Sequence, residues 1–127
     1  MSLKSGISLA SFVKNSPALS RFVTPVANAY AAAAGHRKVG LKYDDLIMEE
    51  DEGVQKAIGR LTERESYDRA YRLRRAIHLS VLHRELPKEE WLTSTEDKRY
   101  LTPLVDEVRK EDDERAAWDT VKVEKKH

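Results

Sequence analysis

The sequence predicts an all-α fold: several helices joined by short loops, one long central helix, a charged C-terminal helix and no sheet. Three observations predict it. Apolar residues recur at spacings of three and four along much of the chain. The pairs Ser16-Pro17 and Thr102-Pro103 and the tetrad Thr62-Glu63-Arg64-Glu65 are helix-start signals. Strand-type alternation and hairpin dipeptides are absent.

Residues 1–15 form a basic N-terminal segment. Residues 16–119 are expected to form the helical domain, and residues 120–127 a charged, frayed tail. The first long helix starts at Ser16-Pro17, and Leu19, Phe22, Val23, Val26 and Tyr30 give it one apolar face. Pro25 predicts a kink or a restart, because proline removes a backbone donor. Gly35, after four alanines, predicts the stop. His36 to Tyr43 reads as a basic loop that turns at Gly40. The run Glu49-Glu50-Asp51-Glu52 reads as a solvated helix start, where the helix dipole favours carboxylates. Val54, Ala57, Ile58 and Leu61 then mark a short helix from about Glu52 to Leu61.

The central helix follows the capping box at Thr62 and Glu65. Ala70, Leu73, Ile77 and Val81 form its expected apolar stripe. Glu65 precedes Arg69 by four and Asp68 precedes Arg72 by four, both in the favourable orientation. Pro87 predicts an end at about Glu85. Residues 88–99 are polar and irregular, with Trp91 and Leu92 as anchors. Thr102-Pro103 opens the last helix, with Leu104, Val105 and Val108 inward. Arg109 to Arg115 is charged all round, which predicts a segment lying on solvent or on another protein.

The 127 residues are one domain's worth. The net charge of +1 conceals a division. Residues 1–43 carry Lys4, Lys14, Arg21, Arg37, Lys38 and Lys42 and no acid, a net +6. Residues 44–127 hold the other 17 basic residues and all 22 acidic ones, a net −5. The first 23 residues also hold six serines. This composition fits a mitochondrial transit segment, and it equally fits a polar terminus that happens to lack acids. No apolar run approaches the roughly 18 residues that span a bilayer.

Few catalytic patterns survive. Cysteine is absent, which excludes disulfides, thiolate nucleophiles and cysteine zinc sites. His78 and His83 are five apart, about 140° out of register on a helix, so they do not form a metal pair. Asp44, Asp45, Glu49 and Glu50 lack the spacing and the glycine of a calcium loop. No Ser-His-Asp order, phosphate loop or zinc-protease motif is present. Catalytic, cofactor-binding and metal-binding residues are therefore assigned to none. The arginines from Arg69 to Arg75 are a basic cluster, and a free-standing RNA-binding helical protein is the alternative reading they support.

Five elements in series resemble a known family. They are Val39-Gly40-Leu41-Lys42-Tyr43-Asp44-Asp45-Leu46-Ile47 with Glu49-Glu50, and Gln55-Lys56-Ala57-Ile58-Gly59-Arg60-Leu61. Ser66-Tyr67-Asp68-Arg69-Ala70-Tyr71-Arg72, Leu86-Pro87-Lys88-Glu89-Glu90-Trp91 and Tyr100-Leu101-Thr102-Pro103-Leu104 complete the series. Together they resemble the small matrix-side accessory subunits of mitochondrial ubiquinol–cytochrome c reductase (complex III), the ubiquinone-binding or reductase-binding proteins. Ser16-Pro17 and Pro25-Val26-Ala27-Asn28 are most similar to fungal members. Thr62 departs from the proline common there, and both residues start helices.

The resemblance implies a non-catalytic structural and assembly subunit of the respiratory chain, peripheral to the mitochondrial inner membrane on the matrix side. Haem, iron–sulfur and quinone would belong to partner subunits, and this chain would bind none. The implied partners are cytochrome b, the core subunits, other small subunits and inner-membrane lipids, with no nucleic acid. Lys4, Lys14, Arg21, Arg37, Lys38, Leu41, Tyr43, Asp44 and Asp45 are the expected contacts with cytochrome b or lipid. Glu49 and Glu50, with Glu50 leading, are candidates for proton uptake near the quinone-reducing site. A quinone pocket within the chain itself has little support, because each helix has one narrow apolar stripe.

Overall fold

The computed structural model describes residues 9–123. The chain divides into two compact units, Met1–Gly35 and His36–His127. Among the described residues there are five α-helices and no strand, as the sequence predicts.

The first unit is a pair of helices, α1 (Ala10–Asn15) and α2 (Pro17–Ala34). Ser16 stands at the α2 N-cap in an extended conformation, with Pro17 as the first helical residue. The helix does not restart at Pro25: α2 is continuous over 18 residues. The missing N–H leaves the Arg21 carbonyl without its helical donor. Arg21 is exposed, so water can satisfy that carbonyl. Gly35 ends the helix in the left-handed region at φ 82°, where glycine carries no Cβ penalty. No residue of α2 is buried.

The second unit contains α3 (Glu52–Gly59), α4 (Glu63–Val81) and α5 (Thr102–Asp119). Short 3₁₀ turns lie at His36–Val39, Tyr43–Leu46 and Lys88–Glu90. Asp51 caps α3: its Oδ1 accepts from the N–H groups of Gly53 (2.8 Å) and Val54 (3.2 Å). The capping box of α4 is formed as expected. Thr62 Oγ1 accepts from the Glu65 N–H (3.3 Å), and Glu65 Oε2 accepts from the Thr62 N–H (3.1 Å).

The hydrophobic core is small and lies between α3 and α5. Val54 and Ala57 pack with Leu101, Val105 and Val108, all buried. Ile47, Ile58, Leu61, Tyr100 and Leu104 close its edges. Ion pairs flank the seam: Arg60 forks the Glu111 carboxylate at 2.9 and 2.6 Å, and Lys56 reaches Asp112 at 3.1 Å. Part of the charged stretch 109–115 is thus used against α3 rather than left to solvent.

Two expectations for α4 are corrected. The helix ends at Val81, about a turn before Glu85. Arg84 N–H bonds to Leu79 O (3.0 Å) and His83 N–H to Ser80 O (3.1 Å), with His83 at φ 52°. That is a Schellman ending with histidine where glycine is usual. The early stop lets the chain turn back, and Leu86 N–H reaches Lys38 O at 3.0 Å. The stripe Ala70-Leu73-Ile77-Val81 is also not a core face. Leu73 is half-buried and Ala70 is exposed, while Ile77 and Val81 are 64% and 73% exposed. The one buried residue of α4 is Arg69.

Candidate functional site

The segment 36–50 carries most of the residues that the sequence singles out. It is held by three carboxylates, Asp44, Asp45 and Asp97, each doing a different job.

Asp44 is fully buried and caps α5 from 57 residues away. Its Oδ2 accepts from the N–H groups of Leu101 (3.0 Å) and Thr102 (2.9 Å), and its Oδ1 accepts from Thr102 Oγ1 (2.8 Å). Thr102 was the expected cap. It is instead the first helical residue, with Leu101 at the N-cap, and leucine has no side-chain acceptor. The carboxylate of Asp44 supplies what leucine lacks.

Asp45 ties the segment to α4. Arg72 donates to both its oxygens (Nε 2.6 Å, Nη2 2.9 Å), and the Tyr100 hydroxyl donates to Oδ1. The Lys42 N–H adds a bond at 2.9 Å. Burial pushes the Asp45 carboxyl up, but bonds from Arg72, Tyr100 and Lys42 outweigh it and hold the group below the usual carboxylate range. Burial and the Asp45 bond both raise the Tyr100 phenol. Beside them, Arg69 donates to the Tyr100 hydroxyl (2.9 Å) and to Glu49 (2.5 Å). The expected helix pairs Glu65–Arg69 and Asp68–Arg72 therefore do not form. Both arginines turn inward, Glu65 serves the cap, and Asp68 meets Arg64 at 3.4 Å.

Asp97 closes the other end. Its Oδ2 meets His36 Nε2 and Arg37 Nε, each at 2.9 Å, and its Oδ1 accepts from the Tyr43 N–H (2.8 Å). Burial raises its carboxyl, and the bonds from His36, Tyr43 and Arg37 bring it below the ordinary range. Gly40 turns the chain at φ 78°, where a side chain would be strained and would have to displace the Arg75 guanidinium. A Cβ there would lie 2.0 Å from Arg75 Nη2, which donates to the Gly40 carbonyl at 3.4 Å.

The residues expected to contact cytochrome b or lipid therefore fall into groups. Lys4 lies outside the described residues. Lys14 ends α1 and Arg21 lies on α2, both exposed. Arg37 is drawn onto Asp97, Lys38 sits over the Trp91 ring at 5.3 Å, and Leu41 is half-buried. Tyr43 is 46% exposed. Asp44 and Asp45 are buried, with their oxygens engaged within the chain. Of the acidic pair, Glu49 is bound to Arg69 and Glu50 is exposed. The Arg69–Arg75 cluster does not present one basic face: Arg69, Arg72 and Arg75 turn inward and Arg74 is exposed. Among the described residues no cluster of His, Asp and Glu has metal-binding geometry.

Sequence reasoning missed Asp97, His36 and Tyr100. The available signal was an excess of arginine on α4 facing a paired Asp-Asp in a short turn.

The family model for the ubiquinol-cytochrome C reductase complex 14kD subunit matches residues 17–116. Among similar proteins, cytochrome b-c1 complex subunit 7 of Neurospora crassa is 51% identical over 107 residues, 84% of this chain and 87% of that relative. The mitochondrial cytochrome b-c1 complex subunit 7 of Saccharomyces cerevisiae is 42% identical over 117 residues, 92% of each chain. The Pongo abelii protein of the same name is 47% identical over 89 residues, 70% of this chain and 79% of the relative. The matched region contains Asp44, Asp45, Arg69, Arg72, Asp97 and Tyr100, so the network that shapes the second unit lies within the shared domain. By this match, the chain belongs to the ubiquinol–cytochrome c reductase complex 14 kDa subunit family.

Proposed function

We propose that this chain is a non-catalytic structural and assembly subunit of mitochondrial ubiquinol–cytochrome c reductase, supporting cytochrome b from the matrix side of the inner membrane. In this role it holds no haem, iron–sulfur cluster or quinone itself. The observation that carries the reading is the first unit. It has no acidic residue, α2 buries nothing, and Phe22, Val26 and Tyr30 are 77%, 68% and 76% exposed. An amphipathic helix of this kind gains stability when partner proteins or lipid cover its apolar face. No helix among the described residues is long and apolar enough to cross a membrane, which agrees with a peripheral position.

Deleting residues 2–15 tests the reading. The yield of assembled, haem-containing complex should fall. An undiminished yield of active complex would remove the proposal.

The free-standing RNA-binding alternative loses support, because three of its arginines serve the fold. Proton uptake is supported at one residue. Both carboxylates are exposed; Arg69 engages Glu49, and Glu50 has no ion pair among the described residues. Replacing Glu50 with Gln should lower quinone-linked turnover, and normal turnover across pH would exclude this role.

A further inference from the structure

The turn Tyr43–Leu46 divides its side chains sharply. Asp44 and Asp45 point inward and are buried. Tyr43 and Leu46 are 46% and 55% exposed. In a 3₁₀ turn, residues three apart eclipse, so these two side chains project from one side.

Cations surround that projection. The Arg99 guanidinium lies over the Tyr43 ring at 4.3 Å, and the Lys42 ammonium over the Tyr100 ring at 5.5 Å. Lys98 is exposed beside them in sequence. Of the nearby carboxylates, Asp97 is paired with cations, whereas Glu96 takes only uncharged donors and lies within Coulombic reach of Lys42. Asp97 is bound by His36, Arg37 and the Tyr43 N–H, and Glu96 by the N–H and hydroxyl of Thr93. None of the ion pairs among the described residues uses Lys42, Lys98 or Arg99.

We infer that Lys42, Lys98 and Arg99, around the outward Tyr43 and Leu46, form a docking surface for the phosphate of an anionic phospholipid head group. A guanidinium stacked on an aromatic ring keeps its N–H edge free to fork a phosphate. Tyrosine and leucine beside cations are the side chains that suit the boundary between head groups and acyl chains. A phospholipid offers a phosphate to the cations and an apolar boundary to Leu46 in one molecule. The inference rests on the proposed position at the inner membrane, and it assigns a lipid contact to the second unit as well as the first.

Flotation of the purified full-length chain with vesicles tests it. The vesicles contain either phosphatidylcholine alone or phosphatidylcholine with about a third anionic phospholipid. Lys4→Gln/Lys14→Gln is used as the background, so that the basic head does not mask the result. Adding Lys42→Gln/Arg99→Gln should weaken binding to anionic vesicles by about fivefold per charge removed. Tyr43→Ser/Leu46→Ser should weaken it too, with melting by circular dichroism confirming that both variants fold. Unchanged vesicle binding would overturn the inference. So would displacement by millimolar inorganic phosphate, which would mark a free-ion site. A third contrary result is lost incorporation into the complex with vesicle binding intact, which would mark a protein contact. If instead the 2–15 deletion assembles normally while the vesicle result stands, the assembly reading fails and the lipid surface survives.

Discussion

The two units of this chain solve the problem of stability in opposite ways. The first is apolar on its outside: α2 buries no residue, and its large side chains face outward. The second is polar on its inside. Its five buried apolar residues are accompanied by buried His36, Asp44, Asp45 and Arg69. A small core cannot supply much burial energy at this size. The second unit compensates with specific polar bonds centred on Asp44, Asp45 and Asp97, which set geometry as well as stability. The first unit makes no such investment: α2 leaves its apolar face uncovered.

Substitutions should separate the units cleanly. The largest effect should come from Asp45→Ala, which strands Arg72 and weakens the anchorage of Arg69 in a buried site. Removing one partner of such a pair costs about 3–5 kcal/mol, read as a lower denaturation midpoint of the isolated chain. A loss below 1 kcal/mol would mean that the network adds little, and the contrast drawn here would fail.

Acid should act on the same unit. Asp45 and Asp97 have carboxyl groups held below the ordinary value of 3.8 in the folded chain. The unfolded chain therefore takes up protons first as pH falls. The stability these groups contribute is present above about pH 5 and is lost as pH drops through 3.8 and below. A pH series of urea melts should show a plateau near neutrality and a decline below about pH 4. A flat profile to pH 3 would contradict the pairing.

A smaller effect of opposite sign is expected at the end of α4. His83 holds φ 52°, a conformation that glycine adopts without strain. Replacing it with Gly should raise stability by roughly 0.5–1 kcal/mol, measured as a higher melting temperature. The smallest effect should come from the first unit. Phe22→Ser should change the isolated chain's stability by less than about 0.5 kcal/mol, yet reduce the amount of the chain that co-purifies with the complex. A large stability loss in the isolated chain would show that α2 is buried after all.

Local signals were legible in the sequence. The capping box at Thr62, the stop at Gly35 and the inward Val105 and Val108 are each written within a few adjacent residues. What escaped depends on distant partners. Arg72 reads locally as the mate of Asp68, four residues away, but its true mate Asp45 is 27 residues back. The apolar stripe of α4 has correct helical spacing, yet the surface that covers this helix is the polar segment 36–50. Pro25 is accommodated within α2, where water can reach the orphaned Arg21 carbonyl, and exposure is not visible in a one-dimensional pattern. The site shows the same divide. The Asp-Asp turn and the acidic run stood out as residues, but whether each faced inward or outward depended on Arg69, Arg72 and Asp97.

The remote cap on α5 has a consequence for how the chain comes to be folded. The last helix begins on a carboxylate 57 residues upstream, so its first turn is completed by long-range closure rather than by its own sequence. A peptide spanning Leu101–Asp119 alone would start on an N-cap leucine with no side-chain acceptor and fray. During synthesis, residue 44 emerges long before residue 101 and must wait, unpaired, for its partner. The start of α5 is therefore completed only after a contact across 57 residues has closed.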